Sequence, residues 1–145
     1  MPRIVRSAQV VWEGNVARGQ GRITAATGAF ADLPYSLAAR IGRPEGKTSP
    51  EELLAAAHGG CFTMSLATEL VQAGTPPGRL VVDCQIVMDE VEGQGHQIVG
   101  SNVTVSVEVD GIDEASLREA IEKADEGCPF SALLKRSGAE VQISL

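Results

Sequence analysis

Three observations predict an α+β fold in a single domain covering residues 1–145. A long segment from Pro50 to Ala73 is mostly apolar or small and carries helix-start and helix-stop residues at its ends. Two later segments, Leu80–Met88 and Asn102–Val109, alternate apolar and polar residues with the period of a strand. The elements run as strands, helix, hairpin, helix and strand, not as a regular alternation of strand and helix. A chain of 145 residues has the usual length of one domain and buries roughly two thirds of its unfolded surface.

The first third reads as β structure. Val5–Trp12 is rich in Val and ends at the turn signal Glu13-Gly14-Asn15. Gly19–Ala26 is a second strand, broken at Thr27-Gly28, and Pro34–Ile41 a third, with Pro34 suited to an edge or a strand start. A polar loop, Gly42–Ser49, leads into the long helix. There Ser49 is the expected N-cap, Pro50 the first helical residue and Glu52 the residue that closes a capping box, with Gly74 as the stop. The middle of this helix is apolar or small on every side, which predicts a central helix buried on all faces, an arrangement that calls for a partner chain.

Leu80–Met88 and Asn102–Val109 form a hairpin turning at Gly93-Gln94-Gly95, with Val103, Val105, Val107 and Val109 on one face. Asp113 caps a helix whose buried face holds Leu117, Ala120, Ile121 and Ala124 and which ends at Gly127. Cys128-Pro129 opens a short helix through Leu134, and Glu140–Leu145 is the last strand.

Composition narrows the function. The net charge of −7 and the absence of any basic run argue against nucleic acid. With 3% aromatics, the core must be built from Val, Ile, Leu and Ala. The N-terminal residues lack the apolar stretch of a secretory signal, and the longest uncharged run, Leu53–Thr68, is too short to span a bilayer, so a cytoplasmic protein without membrane attachment is expected.

Three cysteines without metal-type spacing then carry the question of chemistry. Cys84 lies on the apolar face of its strand and reads as a core thiol. Cys61, in mid-helix beside Gly59-Gly60, is either a core thiol or a nucleophile with room beside it. The two glycines each cost about 1 kcal/mol in a helix interior, which close packing or substrate access would explain. Cys128 sits at a helix N-terminus, where a thiolate is stabilised; capping alone would favour Ser, Asp or Asn.

Trp12-Glu13-Gly14, then Pro34-Tyr35-Ser36 with Arg40, then the block from Thr48 to Phe62 and finally Gly127-Cys128-Pro129-Phe130-Ser131 occur in an order that resembles the OsmC/Ohr family across nearly the whole chain. The spacing between Arg40 and Pro50 is more similar to the OsmC branch. The resemblance implies an OsmC-like fold with a mixed sheet and an intertwined homodimer whose active sites lie at the subunit interface. It also implies a peroxidase that reduces organic hydroperoxides, and hydrogen peroxide less efficiently, in defence against oxidative stress. Cys61 matches the family's peroxidatic cysteine and Cys128 its resolving one, Arg40 the arginine contacting the reactive sulfur, and Glu51 the glutamate holding that arginine. Departures are Ser49 where Asn is usual, Gly59-Gly60 where Ala is common, and Val11 where His is frequent.

The chemistry fits these residues. A thiolate is required, and a guanidinium within about 4–6 Å lowers a thiol pKa by roughly 1–3 units. Glu51 precedes Cys61 by ten positions, roughly 15 Å along a helix axis, so Arg40 bridges the gap or Glu51 acts from the partner subunit. No cofactor is expected beyond an external thiol or dithiol reductant of the lipoyl type. His58, one turn before Cys61, is either a core or hydrogen-bonded residue or one that faces the sulfur. Two competing expectations are a redox-silent dimer binding an apolar ligand and a metal site of His58, Cys61 and Cys128.

Overall fold

The computed structural model describes residues 2–145 and divides them into two units, one ending at Pro50 and the other spanning Glu51–Leu145. Among the described residues, strands and helices are segregated as the α+β class requires, in two three-stranded sheets and four helices.

In the first unit, β1 (Ala8–Glu13), β2 (Gln20–Ala25) and β3 (Leu33–Tyr35) form an antiparallel sheet in that order. Gly21 is required where it stands, because a Cβ there would lie 2.1 Å from the Tyr35 ring. That ring packs at a tilt against Trp12, with centroids 5.6 Å apart, and the Trp12 indole N–H donates to the Gly14 carbonyl at 2.9 Å.

The expected third strand, Pro34–Ile41, is corrected by the structure. Pairing stops at Tyr35, and Leu37–Ile41 is a short helix, α1. Ser36 caps it, its hydroxyl accepting the Ala39 N–H at 3.2 Å. The residues that follow, Leu37-Ala38-Ala39-Arg40, are all strong helix formers. Arg40 therefore sits in the last turn of a helix.

The second unit is built around α2 (Pro50–Gln72). Its C-terminal end closes as a Schellman turn: the Gly74 N–H donates to the Val71 carbonyl and the Thr75 N–H to the Leu70 carbonyl, with Gly74 at φ +79°. Burial follows one stripe, His58, Gly59, Phe62, Leu66 and Leu70. The opposite side, with Met64 74% and Val71 59% exposed, is open in the single chain. Within the single chain one face is buried; the expectation of burial on every face was made for a helix with a partner chain. The low hydrophobic contrast around α2 hid which side the sheet would take.

A long hairpin of β4 (Arg79–Val91) and β5 (Gly95–Glu108) supports that stripe, with β6 (Glu140–Ser144) parallel on the far side of β5. The hairpin register shifts at Val87/Met88, where Val87 faces Gly100 and Met88 faces Ile98. Both strands run well beyond their alternating cores.

Helices α3 (Glu114–Gly127) and α4 (Pro129–Arg136) complete the layer. Asp113 caps α3 by accepting the Ser116 N–H at 2.6 Å. Phe62, Leu66 and Leu70 of α2, Val103 and Val105 of β5, and Ala120, Ile121 and Ala124 of α3 make one buried cluster that also contains Cys128.

Candidate active site

Gly59 fixes how closely α2 lies on the sheet. A Cβ at this position would stand 3.2 Å from the Cβ of Cys84, whereas one at Gly60 would meet nothing within 4 Å. One glycine is thus explained by packing against β4. The other faces an open groove of about 590 Å³ that Cys84 also lines.

Cys61 and Cys128 come together. Cys61, half-buried, packs against the apolar cluster that holds the fully buried Cys128, close enough for Cys128 to perturb its thiol. All three cysteines are in the free thiol state. Burial pushes the Cys61 thiol above its ordinary value, the hydrogen bond and the charge of Cys128 push the same way, and the backbone N–H of Phe130 pulls it down.

This last contact belongs to α4. Pro129 occupies its first position, where the missing N–H is no loss. The Ser131 N–H donates to the sulfur of the N-cap Cys128 at 3.5 Å, and the Phe130 N–H lies near enough to Cys61 to favour its thiolate. Cys61 is far from the start of its own helix, yet it lies at the positive end of another. The sequence places Cys128 at a helix N-terminus but does not reveal that Cys61 shares it.

Behind the thiols lies a buried polar chain. His58 has no exposed surface; its Nε2 is 2.8 Å from the Ser131 hydroxyl and its Nδ1 2.7 Å from the Ser101 hydroxyl. Each serine can donate or accept, so both ring nitrogens of a neutral imidazole are satisfied. Cys84 closes the chain, its sulfur 3.4 Å from the Ser101 hydroxyl and 3.7 Å from Nδ1. Burial holds the His58 pKa below its ordinary value, against a pull upward from Asp125, while Lys135 adds to the lowering. Lys135 and Asp125 are themselves ion-paired. His58 is thus a hydrogen-bonded core residue with both ring nitrogens engaged. Among the described residues, no three His, Cys, Asp or Glu side chains are grouped to hold a metal ion.

Ser101 and Ser131 are absent from the sequence-based list. Ser101 lay ahead of the predicted strand, yet extending the Val103–Val105 alternation backwards puts a serine on the core face. Ser131 falls one turn before the buried Leu134. A hydroxyl at an apolar position was the available signal in both places.

Arg40 and Glu51 each lie on a helix. Arg40, in the first unit, lines a mainly apolar pocket of about 310 Å³ with Trp12, Val16, Tyr35, Ser36 and Leu37. Glu51 stands in the first turn of α2, ten positions before Cys61.

The comparisons with known proteins converge. A family model described as OsmC-like protein matches residues 42–144. The Peroxiredoxin OsmC of Escherichia coli is 36% identical over 132 residues, 91% of each chain. The Organic hydroperoxide resistance protein of Xanthomonas axonopodis pv. citri is 32% identical over 85 residues, 58% of this chain and 57% of that one. Among solved structures, the organic hydroperoxide resistance protein OhrB of Bacillus subtilis superposes with a TM-score of 0.75 at 25% identity, covering 96% of this chain and 97% of its own. An organic hydroperoxide resistance protein OsmC from Legionella pneumophila reaches 0.77 at 18% identity over 98% of both chains, a likeness of fold. Among the described residues no helix is long and apolar enough to cross a membrane.

Proposed function

The chain belongs to the OsmC-like family, and on that premise we propose that it is a thiol-dependent peroxidase in which Cys61 reduces an organic hydroperoxide and Cys128 resolves it. The observation that carries this reading is that Cys61 packs against the cluster holding Cys128 at the start of α4, close enough for Cys128 to perturb the Cys61 thiol.

The Cys61 thiolate attacks the terminal peroxide oxygen. The O–O bond breaks, the alkoxide leaves and takes up a proton, and Cys61 becomes a sulfenic acid. The Cys128 thiolate then attacks the Cys61 sulfur; the S–O bond breaks, and hydroxide leaves as water with the proton that Cys128 gave up. An external thiol or dithiol returns two electrons to the disulfide.

Within the second unit the thiol is pushed up, so the attacking thiolate needs a cation. Arg40 is the residue proposed for that role, with Glu51 orienting it. The apolar pocket that Arg40 lines suits an alkyl chain with a polar peroxide end. The proposed assembly is a homodimer acting in the cytoplasm.

The raised Cys61 thiol is also what a redox-silent, apolar-ligand-binding relative would show. Steady-state reduction of an alkyl hydroperoxide with a lipoyl-type dithiol decides between them. The peroxidase reading expects turnover that Cys61→Ser abolishes. Turnover surviving in that variant, or absent from the native protein, overturns it.

A further inference from the structure

His58 and Ser131 stand in mirrored positions around the two sulfurs. His58 is three residues before Cys61 on α2, and Ser131 is three residues after Cys128 at the start of α4. Their side chains meet at 2.8 Å in a site with no exposure on either residue. The hydrogen bond therefore ties together the two helices that carry the reacting thiols, one turn away from each.

An imidazole is a costly way to fill such a site. A buried polar group without a partner destabilises by about 1–3 kcal/mol, whereas an apolar side chain of similar volume carries no such penalty. What the imidazole adds is direction. Ser101, on the central strand, holds Nδ1 and fixes the ring plane, and Nε2 then fixes Ser131. The backbone N–H of Ser131 in turn donates to the Cys128 sulfur, and the adjoining Phe130 N–H lies near Cys61. Anchoring the Ser131 hydroxyl restrains the first turn of α4, and with it the sulfur that must close the disulfide.

We propose that His58 is a positioning residue for the resolving half-reaction: by bridging Ser101 of β5 and Ser131 of α4, it holds Cys128 where it can attack the oxidised sulfur of Cys61. This rests on the peroxidase reading. His58 touches neither the peroxide nor the sulfur in flight. Its contribution is the distance and angle between the two thiols during the attack on the sulfenic acid.

The two half-reactions separate the roles. Stopped-flow mixing of the reduced, full-length protein with an alkyl hydroperoxide gives the bimolecular rate of Cys61 oxidation. Acid quench followed by mass spectrometry gives the first-order rate of disulfide closure, and dimedone captures any sulfenic acid that accumulates. His58→Gln and Ser131→Ala should slow closure about ten-fold or more relative to Cys61 oxidation, a loss in the range that misplacement by an ångström produces. Both variants should accumulate dimedone adduct at Cys61. Ser131→Thr, which keeps the hydroxyl, should restore closure. If His58→Gln does not fold, Ser131→Ala carries the test, because it leaves the ring and the backbone donors in place. Closure at the native rate in the folded variants overturns the proposal, and so does an equal fall in both steps, which marks a purely structural role. A native protein that forms no disulfide overturns the peroxidase reading and this proposal with it, an outcome distinct from normal closure in the variants.

Discussion

Closing a bond between Cys61 and Cys128 should stabilise the second unit by a measurable amount. The residues are 67 positions apart, and cross-linking them removes about 15 cal/mol/K of unfolded-chain entropy, about 4 kcal/mol at 25 °C. Strain subtracts from this gain wherever the native backbone must move to close the bond. Here Cys61 already packs against the cluster that holds Cys128, so most of the gain should survive. For a chain of this length, about 4 kcal/mol raises the Tm by roughly 10 °C. Calorimetry of reduced protein against protein given one equivalent of alkyl hydroperoxide measures the shift, and Cys128→Ser is the control that cannot close the bond. A verified Cys61–Cys128 disulfide that leaves the Tm unchanged or lowers it would refute the reasoning. The sulfurs would then lie apart in solution and meet only by distorting the fold.

Three further outcomes are expected. Arg40→Met should lower the rate of peroxide reduction near pH 7 by about 10- to 1,000-fold and move the pH–rate curve upward, since a neighbouring cation shifts a thiol by roughly 1–3 units; an unmoved curve excludes Arg40 from activating Cys61. Leu66 is fully buried in the apolar cluster, so Leu66→Ala should cost about 2–5 kcal/mol in urea unfolding, and a loss below about 1 kcal/mol would show that the α2 stripe is not the core. His58 is held below its ordinary pKa of 6.5 by burial, so the unfolded chain takes up the proton first. Its stabilising contribution is complete above pH 6.5 and declines as the pH falls from there toward the lower folded value. His58→Gln should flatten that decline in denaturation curves taken at about pH 7.5 and about pH 5.5, and parallel declines in both proteins would count against it.

The elements most legible in the sequence were those with strong local signals. Pro50 and Gly74 bracket α2, Asp113 caps α3, and the run Val103–Val105–Val107 announces β5. Where local preferences compete, tertiary context decided. Leu37–Ile41 follows directly on a paired strand, yet the Ser36 cap turns it into a helix. The all-round apolar character of α2 could not say which stripe meets the sheet; Gly59 does, through its approach to Cys84.

For the site, position on an element was readable and convergence was not. Cys128 at a helix start is a local fact. That Phe130 of the same turn reaches Cys61, and that Ser101 and Ser131 close on His58, depends on packing between segments separated by dozens of residues. Both serines were recoverable as hydroxyls at apolar positions, and Ser131 also as the end of the Cys128-Pro129 motif, signals that have no direction until the partner is known.

Peptide mapping of the native protein after one equivalent of alkyl hydroperoxide, digested under acid to prevent exchange, tests the central claim most directly. Cys61 linked to Cys128, with Cys84 recovered as a free thiol, is the predicted result. An unmodified Cys61, or a disulfide that includes Cys84 in place of Cys128, would contradict it.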